Sequence, residues 1–108
     1  MIVFERYFTV AMRILLCEPP DDFRYSGFVI PHFGLAYLAA RLLETGHDAS
    51  VFQALGSPHP LSALLAQVKT EQPDLVGISA PTFRIMAAAK LAEQIHQAAP
   101  DAKVLVGG

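Results

Sequence analysis

The stretch that decides the fold is residues 73–81, Pro73-Asp74-Leu75-Val76-Gly77-Ile78-Ser79-Ala80-Pro81. Proline and aspartate favour a turn at its start, and Leu75, Val76, Gly77 and Ile78 are apolar with no alternation. A strand without a polar face is one covered on both sides, the usual setting of a parallel sheet flanked by helices. Ser79 ends the run, and Pro81 turns the chain away. In an open parallel sheet the ligand crevice lies at the carboxyl ends of the strands, where strand order reverses. Ser79, Ala80, Pro81 and Thr82 are therefore the first candidate site residues.

On the amino-terminal side, Arg13-Ile14-Leu15-Leu16-Cys17 reads as a first strand. Glu18, Pro19 and Pro20 stop it, because proline gives a central ladder no N–H. Residues 19–31 then make a long loop carrying Asp21, Asp22, Arg24, Tyr25, Ser26 and Gly27, and a connection of that length is more often functional than idle. A helix is expected to begin near 32–34, with Leu35, Leu38, Ala39 and Leu42 at the spacing of one buried face. Gly46 is its left-handed stop. Residues 47–52 read as a weaker, partly polar edge strand. A turn over 56–60 opens a second helix, with Pro58 or Pro60 in its first turn and Leu61, Leu64, Leu65 and Val68 on its apolar face.

On the carboxyl side, Thr82 is expected to cap a third helix with Ala88, Leu91, Ala92, Ile95 and Ala99 along one stripe. Its alanines imply close approach to the sheet. Pro100 and Asp101 break it, Lys103-Val104-Leu105-Val106 is expected as a buried fourth strand, and Gly107 and Gly108 follow. Strands alternating with helices mean parallel pairing and right-handed crossovers. The expected fold is a flavodoxin-like (Rossmann-like) three-layer α/β domain with strand order 2-1-3-4, truncated before strand five. Residues 1–11 read as an N-terminal extension and 12–108 as the domain, incomplete at its C-terminus. The fourth strand then has a bare apolar edge, which a longer protein would cover, or a partner such as a second copy in a homodimer.

The 108 residues are 53% hydrophobic and carry a formal charge of −2, enough for one compact domain. The eight Lys and Arg are scattered, so neither nucleic acid nor an acidic membrane surface is expected as partner. The opening residues are apolar, but Glu5 and Arg6 interrupt them and no small-residue cleavage site follows, so no signal peptide or membrane span is read there. A single cysteine, Cys17, makes no internal disulfide and points to a reducing, cytoplasmic home.

Polar, proline and glycine residues gather after the strands: Pro19 and Pro20 after the first, Ser79 to Thr82 after the third, Gly107 and Gly108 after the fourth. Small side chains there leave a slot and let a ligand approach the backbone. The phrases EPP at 18–20, P-x-x-G-L-A-Y-L-A at 31–39, L-x-x-x-G-H-D at 42–48, PDLVGIS at 73–79, Thr82 and VLVGG at 104–108 together resemble the N-terminal cobalamin-binding domain of radical S-adenosylmethionine enzymes. The resemblance implies a module that binds cobalamin without catalytic machinery of its own, within a methyltransferase-type parent protein. It also implies that the cofactor's nucleotide tail threads between sheet and helices. Ser79 matches the serine of the family's S-x-L motif and is expected to hydrogen-bond the tail base, while Pro81 stands in the leucine position. Gly107 and Gly108 match the paired glycines that leave room for the tail. The D-x-H-x-x-G motif that places histidine under cobalt in other cobalamin domains is absent, so no protein ligand to cobalt is assigned.

The chain has no C-x-x-x-C-x-x-C cysteine triplet. An iron–sulfur cluster and S-adenosylmethionine are therefore expected only in a radical S-adenosylmethionine barrel elsewhere in the parent. His32 stands on the same rim and is weighed as a metal ligand, but an N-terminal-turn histidine is the plainer reading. Cys17 reads as a small hydrophobe, and His47, His59 and His96 are too dispersed for a metal site. Asp21 and Asp22 evoke the acidic pair of phosphorylation receiver domains, which need an aspartate where Ser79 stands. The loop after the first strand lacks the donors of a flavin phosphate loop, and no G-x-G-x-x-G or Walker loop occurs. Phe23, Tyr25, Phe28 and Phe33 either stack on the corrin or pack beneath the loop. The alternative function is a cofactor-free structural or dimerisation domain.

Overall fold

The computed structural model describes residues 11–20, 33–53 and 58–107. The elements run β1 (Arg13–Cys17), α1 (Phe33–Glu44), β2 (Asp48–Val51), α2 (Pro60–Glu71), β3 (Leu75–Ser79), a 3-10 turn (Thr82–Arg84), α3 (Ile85–Ala98) and β4 (Lys103–Gly107). The strands form one sheet of order β2-β1-β3-β4, parallel throughout. That is the expected flavodoxin-like order.

Successive residues of a strand point to opposite faces, and both faces of β1 are covered. Leu15 and Cys17 join Val76 and Ile78 beneath Leu64 and Val68 of α2 and Ala88, Leu91 and Ile95 of α3. Ile14 and Leu16 lie under Leu35 and Ala39 of α1. Burying each Leu or Ile is worth about 1.5–3 kcal/mol, which explains the unbroken apolar runs. Ala88 and Ala99 are fully buried, so the alanine stripe does bring α3 close to the sheet.

Helix ends follow local chemistry. Gly46 takes φ +92°, and the amides of His47 and Gly46 donate to Leu42 O (3.0 Å) and Leu43 O (3.1 Å), the paired bonds of a glycine-terminated helix. Pro60 is the first residue of α2. That helix ends on Gln72, which takes φ 45° without being glycine. Its side-chain amide compensates by donating to Lys69 O (2.9 Å) and Ala98 O (3.2 Å), tying the ends of α2 and α3 together.

Three expectations need correction. Thr82 does not cap α3: it opens the 3-10 turn, in which Arg84 N donates to Pro81 O at 2.8 Å, and α3 starts only at Ile85. Pro81 is extended (ψ 165°) and caps this turn, which is 3-10 rather than α-helical. Second, β4 is not buried. Val104 packs on the core, but Leu105 is 63% exposed and Val106 38%, because among the described residues nothing lies beyond this edge or over its α1 side. Third, Leu38 is half exposed, so the sheet-facing stripe of α1 is confined to Leu35 and Ala39 with Leu42 at its margin.

Two core positions yield predictions. A Cβ on Gly77 would lie 2.7 Å from Leu16 Cδ2, so Leu16 occupies the space that a side chain at 77 would need. Gly77→Val is expected to cost about 1–3 kcal/mol by overpacking. In denaturant unfolding, the double variant with Leu16→Ala should lose clearly less than the two single costs added together; strict additivity would contradict this contact. Cys17 has no exposed surface. Burial first, and the Glu18 charge second, push its thiol up to about 12 from 9.0. The folded protein should resist alkylation at pH 8 while the unfolded chain reacts. Above pH 9.0 the unfolded chain loses this proton before the folded one does, so measured stability should fall as pH rises towards about 12.

Candidate functional site

Parallel pairing brings the carboxyl ends of β1, β3 and β4 to one edge of the sheet. Ser79 is the direct register partner of Gly107, and Ala80 N donates to Gly107 O at 2.8 Å. Leu75 packs on the α1 side, so by alternation Gly77 and Ser79 face that side too. Their β4 partners are Leu105 and Gly107. The α1 side of the β3–β4 half is thus a shelf of small residues with Leu105 exposed on it. A Cβ built on Gly107 meets nothing within 4 Å. Among the described residues the space immediately over the end of β4 is open.

The other candidate residues surround this shelf in different ways. Pro19 is buried and Pro20 half-buried at the end of β1, while Pro81 and Thr82 are exposed beyond β3. Ala80 belongs to the core under α2 and α3. Gly108 and His32 lie outside the described residues, as do Asp21, Asp22, Phe23, Tyr25 and Phe28. Phe33 is exposed at the start of α1. Cys17 sits in the core shared with α2 and α3, not on the rim.

Sequence reasoning passed over Arg84. Its Nη2 donates to Pro19 O at 2.9 Å, joining the turn after β3 to the loop after β1. The signal was present in Pro19 and Pro20, which offer carbonyls but no amide donors. The flanking Phe83 and Met86 are 86% and 80% exposed.

The opposite edge carries the denser polar network. Arg13 Nη1 donates to Glu71 O (2.9 Å) and its Nε lies 3.4 Å from Asp48 Oδ2. His47 Nδ1 accepts the Met12 amide at 3.1 Å. A shallow groove there is lined by Arg13, His47, Asp48, Gln72 and Asp74. Among the described residues no three His, Cys, Asp or Glu are placed to hold a metal ion, and no helix is long and apolar enough to cross a membrane.

The sequence pattern of the B12 binding domain matches residues 23–108. The chain is also 35% identical over 103 residues to an uncharacterized methyltransferase, PH0819, of Pyrococcus horikoshii; the match covers 90% of this chain and 22% of that protein. No solved structure matches. A domain pattern over most of the chain, on a four-stranded parallel sheet of order β2-β1-β3-β4, shows that the chain belongs to the B12-binding domain family.

Proposed function

We propose that this domain serves a radical S-adenosylmethionine protein of methyltransferase type, and that the nucleotide tail of cobalamin lies along the shelf formed by Ser79 and Gly107. One observation carries the placement: these two small residues are register partners at the strand ends, with open space above Gly107. Ser79 and Thr82 supply hydroxyls near that edge, and Pro19, Pro20 and Pro81 give it rigid backbone with few amide donors. Cobalamin, when bound, supplies a cobalt centre able to carry a one-carbon group. The protein's contribution is to seat the tail and exclude water from it. The methyltransferase reading is supported by the name of the Pyrococcus relative, and the iron–sulfur cluster and S-adenosylmethionine are assigned to other parts of the parent protein.

A second reading, an assembly unit that pairs through β4, is favoured by the exposure of Leu105 and Val106 along that strand. Gel filtration after incubation with hydroxocobalamin separates the two. Retention of the corrin absorption is expected; a colourless protein that sediments as a dimer would replace the first reading by the second. Ser79→Leu with Gly107→Val should fill the shelf, and at 107 the added Cβ meets no atom of the described residues within 4 Å. That variant should keep the far-ultraviolet dichroism of the parent and bind roughly tenfold or more weakly, a loss of about 1.4 kcal/mol or above. Unchanged affinity would remove the tail from this shelf.

A further inference from the structure

We infer that Arg84 is a positioning residue that holds the two lips of the crevice together. The inference rests on the cobalamin reading and names what shapes that site.

Strand order reverses between β1 and β3, which is where a parallel sheet opens its crevice. The reason is visible in the packing. After β1 the next helix, α1, lies on one face of the sheet; after β3 the next helix, α3, lies on the other. The two chains therefore part company at the rim, and their last ladder pair is Cys17 with Ile78. Past that pair the strand ladder no longer connects them. Pro19 and Pro20 have no N–H to offer, and Pro19 is buried, so its carbonyl needs a donor from elsewhere.

Arg84 supplies it across the crevice, at 2.9 Å and 65 positions away in sequence. A guanidinium donor is charged and planar, so it makes a stronger and better oriented bond than a neutral side chain would. The same contact orients its neighbours. Phe83 and Met86, three residues apart, share a side of the turn and are both largely exposed. Fixing Arg84 fixes where this apolar pair stands at the rim. Exposed aromatic and thioether groups suit the broad, largely apolar face of a macrocycle.

The test compares purified wild type with Arg84→Met and Arg84→Lys by hydroxocobalamin titration, by the visible circular dichroism induced in the bound corrin, and by unfolding midpoint. Arg84→Met should weaken binding roughly tenfold to a hundredfold, the range for loss of a charged hydrogen bond. It should also change the induced dichroism while the far-ultraviolet spectrum stays as in wild type. Arg84→Lys, which keeps one charged donor, should restore most of the affinity and the wild-type band shape. Without cofactor, amide exchange at Glu18 should quicken in Arg84→Met. Should Arg84→Met fail to fold, Arg84→Gln takes its place, with intermediate affinity expected. Wild-type affinity and wild-type induced dichroism in a folded variant that lacks the guanidinium would overturn the positioning role and leave the cobalamin reading standing. Failure of the wild-type protein to take up cobalamin would overturn both.

Discussion

Asp74, the residue before β3, is bonded to both neighbouring strands, and the rest of the sheet follows from that lock. Its carboxylate accepts the Arg13 amide (2.8 Å), its own amide donates to Arg13 O (2.8 Å), and its carbonyl accepts the Lys103 amide (3.0 Å). Three chain segments are thereby levelled at their amino ends. Because the strands are parallel and pair residue by residue, that alignment reaches the far edge, where Ser79 meets Gly107. A one-residue slip would exchange the two faces of β3 and drive Val76 and Ile78 out of the core. Placement of the shelf is thus inherited from a polar contact at the other end of the strands.

The two edges of the sheet are built on different principles. At the amino edge, Arg13, Asp48 and Asp74 satisfy one another and nearby backbone, and the groove they line has its polar groups already engaged. At the carboxyl edge the sequence places prolines, glycine and short side chains, and the prolines there carry no amide donor. Backbone left with few internal partners is costly unless something else meets it. Arg84 meets one such group. The division fits an α/β domain in which one edge stabilises and the other receives a ligand.

Strand order, helix faces and the Gly46 stop were readable because each rests on local chemistry that long-range contacts did not override. The unalternating run at 75–78 reads as a doubly covered strand; β1 is covered on both faces, while β3 buries Val76 and Ile78 on one face and leaves Gly77 and Ser79 half-buried on the other. What could not be read came from elsewhere in the chain. Thr82 has the composition of a helix cap, but it is the first residue of a 3-10 turn that follows the extended Pro81. Leu105 looks like core by type and is exposed for want of a covering layer among the described residues. For Arg84 the signal lies in Pro19 and Pro20 and not in its own neighbourhood, since its partner is a backbone carbonyl 65 positions away.

Small residues along β3 and β4 do not all mean the same thing. Gly77, Ser79 and Gly107 face one side of the sheet, and composition alone would assign them one role. A side chain at 77 would collide with Leu16, so that glycine answers to packing inside the protein. At 107 a Cβ would meet nothing within 4 Å among the described residues, so no contact among them requires glycine there. Nor does backbone conformation require it, since among the described glycines only Gly46 has positive φ. With packing and conformation both set aside among the described residues, glycine at the end of β4 has no internal explanation there. On the α1 face Gly107 stands beside Ser79, its register partner, with the exposed Leu105 two residues earlier on the same strand. The proposed tail shelf thus sets a hydroxyl beside an apolar surface, the pairing of polar and apolar lining that small-molecule sites use.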